Sequence, residues 1–439
     1  MKLTVVGGGG FRVPLVYGAL LRRRDQVGVD ELVLHDVDAG RLERIAGVLD
    51  GVAAEHADVR VPFRTTTDLD DAVEGADFVF SAIRAGRLEG RVVDETVPLS
   101  HGVLGQETTG PGGIAYALRT IPEMIAVAET MRDRAPRAWL VNFTNPAGMV
   151  TEAVRAVLGD RVVGICDSPS GLCRRVARAL RREPEELWFG YFGLNHLGWL
   201  GSVDDGSADL LPGLLADDEA LASIEEGRLF GAEWLRTLGM IPNEYLYYFY
   251  YGADAVGRSE VSRGTYLLGQ QAAFYAGNSQ APEEALRAWR AARAERERTY
   301  MAEAGLEHEH EDIGGYEGEA MAVLEAIALN TRAVLILNTA NRSALPFLDE
   351  RAVVEVPCVV GRAGPVPTAS GDAPAHARAL IQTMKDVERT TIDAALLGSR
   401  ELAVKALALH PLVPSVSTAR AIFDGYRARL PALQEAFPA

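Results

Sequence analysis

The sequence predicts an α/β protein: a Rossmann-like doubly wound parallel sheet over residues 1–190, followed by an α+β domain over residues 191–439. Three observations predict it. Short β-branched runs alternate with amphipathic helical stretches through the first 170 residues, the pattern of βαβ units. Four glycines, Gly7 to Gly10, directly follow the first apolar run. Beyond about residue 195 the alternation gives way to long helical sections with few strands. At 439 residues the chain is also long for one core, so two domains are expected.

The elements follow in order. Strands are expected at "KLTVVG" (2–7), "ELVLHD" (31–36), "VRVPFRT" (59–65), "FVFSAI" (78–83), "WLVNFT" (139–144) and "VVGIC" (162–166). In the second half, Ala, Glu and Arg dominate a helical section over 281–305, and a further helix is expected near 316–329. The strands "AVLILN" (333–338) and "VVEVPCVV" (353–360) come next, and helices close the chain. With no repeat and no low-complexity linker, the two parts are expected to pack tightly. A ligand would then sit outside the carboxyl ends of the strands, at the seam.

Bulk properties exclude several classes. A net charge of −17 spread along the chain argues against nucleic acid or anionic lipid as the main partner, while leaving room for a small phosphorylated ligand held by a few arginines. No apolar run approaches the ~18 residues of a membrane span, and the first residues enter a strand directly, so a cytoplasmic protein is expected. Cys166, Cys173 and Cys358 are too few for a disulfide framework, and a Cys166–Cys173 bridge is not expected in a reducing compartment.

The glycine run "VVGGGGFRVP" lets backbone N–H groups approach a pyrophosphate, which the following helix N-terminus attracts. Gly7, Gly8, Gly9, Gly10, Phe11 and Arg12 are the candidate phosphate contacts, although neither register completes G-x-G-x-x-G. Pro14 suits the first turn of the next helix. Asp36 ends the second strand, where a carboxylate accepts hydrogen bonds from a ribose diol and repels a 2′-phosphate, so the nucleotide expected is NAD. The competing role for Asp36 is a helix N-cap, with Asp38 close by as the rival.

Polar groups crowd the loops after the next strands. "IRAGRLEGRVVDETVPLSHGVLGQETTGPGG" (83–113) carries Arg84, Arg87 and Arg91, then Asp94, Glu95 and the Gln106-Glu107-Thr108-Thr109 run. "NFTNPAG" offers Asn142 and Asn145, whose amides could bind nicotinamide or sugar hydroxyls. Cys166 ends the sixth strand, and His196 follows in "WFGYFGLNHLGW". From these residues alone Cys166 is a buried thiol, half of a disulfide, a nucleophile or a metal ligand. A thiolate and an imidazole facing one crevice would suit Zn²⁺ or a comparable divalent ion with open positions.

With these motifs in hand, the sequence resembles glycoside hydrolase family 4, the NAD- and Mn²⁺-dependent glycosidases, most closely their 6-phospho-glucosidase branch. The resemblance covers almost the whole chain. It rests on "VVGGGGFRVPLV", "IRAGRLEGRVVDE", "GQETTGPGGIAYALR", "NFTNPAG", "CDSP", "GLNHLGW", "IPNEYLYYFYY" and "VVEVPCVV". The family stands apart from the two-carboxylate glycosidases. By resemblance, NAD removes hydride from sugar C3, a tyrosine takes the acidified C2 proton, the group on C1 departs, and water addition with hydride return completes the cycle. The metal, matched by Cys166 and His196, would bind O2 and O3 as a Lewis acid. The basic tyrosine maps to Tyr245, with Tyr248 as fallback; an unperturbed tyrosine near pKa 10 needs a neighbouring cation to act at neutral pH. Tyr247, Phe249 and Tyr250 are expected to be core. The substrate's 6-phosphate would fall to Arg91 and Asn145, with Arg263 of "VSRG" assisting. Glu107, Asp167 and Asn195 would complete the sugar contacts. A homodimer or homotetramer is implied in the same way.

Two departures bear on specificity. β-directed members carry Cys-Asn-x-Pro, whereas Asp167 gives Cys-Asp-x-Pro, the form of the phospho-α-glucosidases. Ile313 of "DIGGYEGEA" stands where many β-directed members have arginine. The tail "SRELAVKALALHPLVPS" looks more like the β branch, and 6-phospho-β-glucosidase is the reading preferred. The alternatives are the α-directed enzyme, an NAD-dependent hydroxy-acid dehydrogenase and a non-catalytic NAD-binding protein. "HEHED" (308–312) is read as a solvated acidic loop rather than a metal site.

Overall fold

The computed structural model describes residues 1–56, 59, 61–258, 262–277, 281–298 and 315–438. Six strands of the first half run parallel: β1 (Lys2–Val6), β2 (Glu31–His35), β3 (Phe63–Thr66), β4 (Phe78–Ser81), β5 (Trp139–Asn142) and β6 (Val162–Gly164). Their order across the sheet is β3-β2-β1-β4-β5-β6. This is the dinucleotide-fold order, in which the winding reverses between β1 and β4 and opens a crevice at the carboxyl ends. Helices cover both faces, which is why Leu3, Val5, Phe78, Val79 and Phe80 are all buried despite pointing to alternate sides.

Among the described residues of the strand expected over 59–65, pairing begins at Phe63. Pro62 has no N–H for the ladder, and its carbonyl accepts the Leu32 N–H at 3.0 Å as the last contact before the strand. The apolar stretch around "GLNHLGW" forms a hairpin that the periodicity did not reveal. It consists of β7 (Trp188–Leu194) and β8 (Leu197–Asp204), and with β9 (Ile241–Pro242) it makes a separate antiparallel sheet. The expected later strands form β10 (Ala333–Ala340) and β11 (Val353–Gly361). Together with β12 (Gly364–Pro367) they continue the first sheet beyond β6 as an antiparallel edge, with Asn338 opposite Gly164. The result is one nine-stranded sheet.

Helices α1 (Val13–Arg22), α2 (Ala39–Glu55), α3 (Arg87–Leu99), α4 (Pro111–Arg134), α5 (Ala147–Leu158) and α6 (Asp167–Ala179) come from the first half. The second half adds α7 (Arg263–Ala276), α8 (Pro282–Arg298), α9 (Tyr316–Leu329), α10 (Ala375–Leu397), α11 (Arg400–Leu409) and α12 (Val416–Arg429). The helical section expected over 281–305 is α8 as far as Arg298; its remainder, "HEHED" and Ile313 lie outside the described residues. Helix α8 lies along α2 at Gly51, where a Cβ would come within 2.6 Å of the Pro282 carbonyl oxygen. Helices α10 and α11 pack on α4, and α12 on α3. Buried Lys385 of α10 ties that layer to the Rossmann half by donating to Glu152 of α5 at 2.9 Å and to Glu388. The buried apolar side chains join into a single cluster reaching from Leu3 to Phe437. Among the described residues no helix is long and apolar enough to cross a membrane. All three cysteines are free, buried thiols.

Candidate active site

The glycine turn is shaped by what it presses against. Gly7 has φ +95°, and a Cβ there would meet the Ala82 carbonyl oxygen at 2.8 Å, so only glycine fits. Gly7 and Gly8 both donate to the His35 carbonyl, at 2.9 and 2.6 Å. Asp36 accepts the Gly9 N–H at 3.1 Å with one oxygen and the Asp38 N–H at 3.1 Å with the other. The helix-cap role belongs to Asp38, which accepts the Arg41 N–H at 3.0 Å. Asp36 therefore stands at the cleft rim, with Gly7, Gly10, Phe11 and Arg12, while Gly8 packs on Leu34 and Gly9 lies against Asp36 and Arg41. Three side chains of the second half hold the turn's carbonyls. Tyr275 donates to Gly9 at 2.8 Å, Trp289 to Phe11 at 2.7 Å and Tyr316 to Arg12 at 2.7 Å.

One cleft of about 1310 Å³ runs from this turn along the carboxyl edge of the sheet. Following the strand order, its wall passes Asp36 after β2, the glycine turn after β1, Arg84 after β4, Asn145 after β5 and Cys166 after β6. Glu107 is the charge centre of the first stretch. It pairs with Arg84 at 2.6 Å and with Arg91 at 2.9 Å. Burial would raise its pKa, but Arg84 and then Arg91 outweigh burial and hold it at about 2. Arg91 also donates to Glu95 at 2.6 Å, and Glu95 accepts the Gly264 N–H at 2.7 Å, which fixes the start of α7 and hence Arg263. Arg296 of α8 completes the group. Its charged form is disfavoured by burial and by the charges of Arg12, Arg91 and Arg263, so each of these three guanidiniums lies within electrostatic reach of Arg296.

The sign of the Glu107 shift gives a pH prediction. A carboxyl depressed from 4.5 to about 2 contributes stability that is complete above pH 4.5 and lost as pH falls towards 2. Chemical denaturation of wild type and Glu107→Gln is expected to show a stability gap above pH 4.5 that closes in stronger acid; a gap independent of pH would mean that the ion pairs do not stabilise the fold.

The two asparagines of "NFTNPAG" part company. Asn142 is fully buried, accepts from Ser81 at 2.9 Å and the Thr144 N–H at 3.1 Å, and donates to Thr151 at 3.1 Å, so its amide braces the loop and is no ligand contact. Asn145 lines the cleft, with a buried Oδ1 that has no partner among the described residues.

Cys166, His196 and Tyr245 line the same cleft from three elements, with His196 and Tyr245 in ring contact. Cys166 is the residue before the first turn of α6, and it lines the cleft. Burial pushes that thiol well up, so without a cation beside it the sulfur stays protonated. His196 sits at the two-residue tip between β7 and β8 with φ +61°, a left-handed conformation that costs an L residue energy. The hairpin holds it there: Asn195 beside it donates to buried Glu355 at 3.2 Å, and Glu355 also accepts from Asn338 at 2.8 Å and Tyr191 at 3.1 Å. Burial drives His196 down to about 3, leaving a neutral imidazole. Its ring stacks on Tyr245, centroids 3.7 Å apart and 11° between planes. Tyr245 lies on the short helix Glu244–Leu246, where Asn243 accepts its N–H at 3.0 Å. Tyr248, 6.4 Å from it between ring centroids, also lines the cleft. Tyr247 is buried against Tyr251, while Tyr250 accepts a hydrogen bond from Trp199 at 3.0 Å and Phe249 stacks on His410.

Asn195 departs from expectation. It lines a small separate cavity behind His196, not the main cleft, because its amide is turned to Glu355. Asp167, Arg91, Glu107 and Arg263 do line the cleft. Sequence reasoning missed Arg296, which it placed in a helical section rich in Ala, Glu and Arg without giving it a role, and Ser168 with Glu244. Ser168 donates to Glu244 at 2.5 Å, and the other Glu244 oxygen is buried without a partner among the described residues. Burial foremost, then the negative charge of Glu225, pushes Glu244 well above the ordinary carboxylate range. A charged residue inside the aromatic run "IPNEYLYYFYY" was the available signal.

The donor chemistry suits an open divalent-metal site. Cys166 and His196 supply a soft sulfur and a neutral nitrogen, a bound cation would strip the thiol proton, and no third His, Cys, Asp or Glu joins them in a cluster among the described residues. The turn at Gly7 equally suits a dinucleotide, because the position is closed to any Cβ.

These features define an α/β enzyme in which a dinucleotide-type turn, a thiol, an imidazole and a phenol share one cleft. The family 4 glycosyl hydrolase model matches residues 2–182, and the model of that family's C-terminal domain matches residues 191–413. The chain is 32% identical to a probable 6-phospho-beta-glucosidase of Bacillus subtilis, covering 97% of this chain and 95% of that protein. It is also 32% identical to a 6-phospho-alpha-glucosidase of Leptotrichia buccalis, covering 96% of each. The crystal structure of the Thermotoga maritima 6-phospho-beta glucosidase with manganese, NAD⁺ and glucose-6-phosphate superposes with a TM-score of 0.82 at 27% identity over 98% of both chains. The chain belongs to glycosyl hydrolase family 4.

Proposed function

We propose that this enzyme hydrolyses 6-phosphorylated glucosides by a redox-assisted elimination and addition of water, using NAD and a divalent metal, Mn²⁺ by preference. The observation that carries the reading is the convergence of Cys166, His196 and Tyr245 with the glycine turn and the arginine group in a single cleft. When bound, the nucleotide supplies a hydride acceptor for sugar C3 and the metal a Lewis acid at O2 and O3. Cys166 and His196 would hold the metal, and the glycine turn with Asp36 would hold the nucleotide. Tyr245, stacked beside His196, would take the C2 proton. Arg91, Arg263, Arg12 and Arg296 would receive the 6-phosphate, whose two negative charges at neutral pH suit a site rich in guanidiniums, with Glu95 and Glu107 paired to Arg91. Asn145 would offer its free carbonyl oxygen to a sugar hydroxyl.

The preferred anomer is β, on the likeness of the tail that forms α11. Asp167 favours the α reading, since it lines the cleft beside Cys166 as a carboxyl where β-directed members have asparagine. The test incubates the protein with NAD⁺ and Mn²⁺ and aryl glucosides of both anomers, with and without the 6-phosphate. Cleavage of a phosphorylated anomer that needs both additives is expected, with the β form faster. Cleavage of the α form alone would transfer the assignment to that branch. Cleavage without NAD⁺ and metal, or steady net NADH production, would overturn the reading.

A further inference from the structure

The structure assigns Glu355 the role of positioning residue for the metal: through Asn195 it holds His196 in place, and through Asn338 it braces the strand that leads to Cys166. This rests on Cys166 and His196 being the metal ligands and names the side chain that fixes their supports.

The tip of the β7–β8 hairpin does not support itself. Leu194 pairs with Leu197, so the loop between the strands is Asn195 and His196. The turns favoured in such loops take a positive φ at the first residue or at both, which matches the twist of the strands. Here only the second residue has one: His196 stands at +61°, and Asn195 is not among the positive-φ residues. Such a tip costs energy that contacts outside the hairpin must offset. Asn195 supplies one by donating to Glu355 Oε1 at 3.2 Å.

Glu355 lies on β11, fully buried. The same Oε1 accepts from Asn338 at 2.8 Å, and Oε2 accepts from Tyr191 at 3.1 Å. Asn338 is the cross-strand neighbour of Glu355 on β10, and on its other side it pairs with Gly164 of β6. The approach there is close, since a Cβ on Gly164 would come within 2.8 Å of the Asn338 Cβ. Cys166 follows two residues later. The supports of both ligands thus meet at one oxygen atom. Leucine at this position would leave three donors without their acceptor. Glutamine would keep an oxygen for the two asparagines and present an N–H to the Tyr191 oxygen, so the links would survive.

The experiment measures Mn²⁺ affinity by calorimetric titration, and amide hydrogen exchange of residues 193–197 in the metal-free protein. The variants are Glu355→Leu, Glu355→Gln, Asn195→Ala, the double variant Asn195→Ala/Glu355→Leu, Tyr191→Phe and Cys166→Ser. Glu355→Leu is expected to weaken Mn²⁺ binding about 10-fold, the lower end of what outer partners of metal ligands contribute, and to speed exchange at the tip about 10-fold. Glu355→Gln should stay within about 3-fold of wild type in both. Asn195→Ala should match Glu355→Leu, and the double variant should lose no more than the worse single one, because both remove the same link. Tyr191→Phe removes a donor from the other oxygen only and should change Mn²⁺ affinity less than about 3-fold. Tip exchange unchanged in Glu355→Leu, equal losses in Leu and Gln, additive losses in the double variant, or a Tyr191→Phe loss as large as that of Leu would each overturn the role. If Glu355→Leu does not fold, Asn195→Ala decides, since it leaves Glu355 bonded to Asn338 and Tyr191. Equal Mn²⁺ binding by wild type and Cys166→Ser would refute the ligand assignment, while tip exchange still decides whether Glu355 holds His196.

Discussion

Replacing Tyr245 with phenylalanine is expected to lower kcat for 6-phosphoglucoside cleavage by about 10²–10⁴-fold, the usual contribution of a positioned acid or base. KM and metal affinity should barely change. The substitution keeps the ring that stacks on His196 at 3.7 Å and the backbone held by Asn243, and removes only the phenolic oxygen. A loss confined to kcat is thus the signature of proton transfer, whereas a packing defect would also raise KM or weaken metal binding. Full activity in the variant would move the base to Tyr248, the other tyrosine of the run that lines the cleft, 6.4 Å away.

Cys166→Ser is expected to weaken Mn²⁺ binding more than about 100-fold by calorimetric titration, since losing an outer-shell partner alone commonly costs 10–100-fold. Activity at limiting metal should fall with it. The serine hydroxyl fills the same space at the start of α6, so thermal stability of the metal-free protein should hold. Unchanged metal affinity would return Cys166 to a structural thiol. His196→Ala should weaken metal binding as well and also release Tyr245 from its stack, so its kcat should fall even at saturating metal.

Much of this site is legible in the sequence because it sits where βαβ topology forces it. Strand ends are recognisable from apolar runs, and the cleft lies at strand ends, so Asp36, Arg84, Asn145 and Cys166 could be placed from order alone. His196 was legible as a residue but not as a geometry. Its hairpin depends on pairing between two apolar segments and on Glu355, a residue 159 positions away, that fixes the tip through Asn195. Arg296 was hidden for a related reason. A helix rich in Ala, Glu and Arg looks solvated until α8 is seen lying over the glycine turn, with Trp289 bonded to Phe11. Asn142 and Asn145 carry the same functional group three residues apart, and only the hydrogen bonds separate a brace from a contact. The late strands misled in another way: β10 and β11 have the apolar character of a buried sheet, which composition cannot assign to one sheet or another.

The claim at the centre of this account is that the bond at C1 breaks only after a proton has left C2. Hydrolysis carried out in D₂O with NAD⁺ and Mn²⁺, followed by NMR of the glucose 6-phosphate released, tests it directly. The account predicts deuterium at C2 of the product, introduced when the proton is returned from solvent. Product that retains only hydrogen at C2, formed at the full catalytic rate, would contradict it.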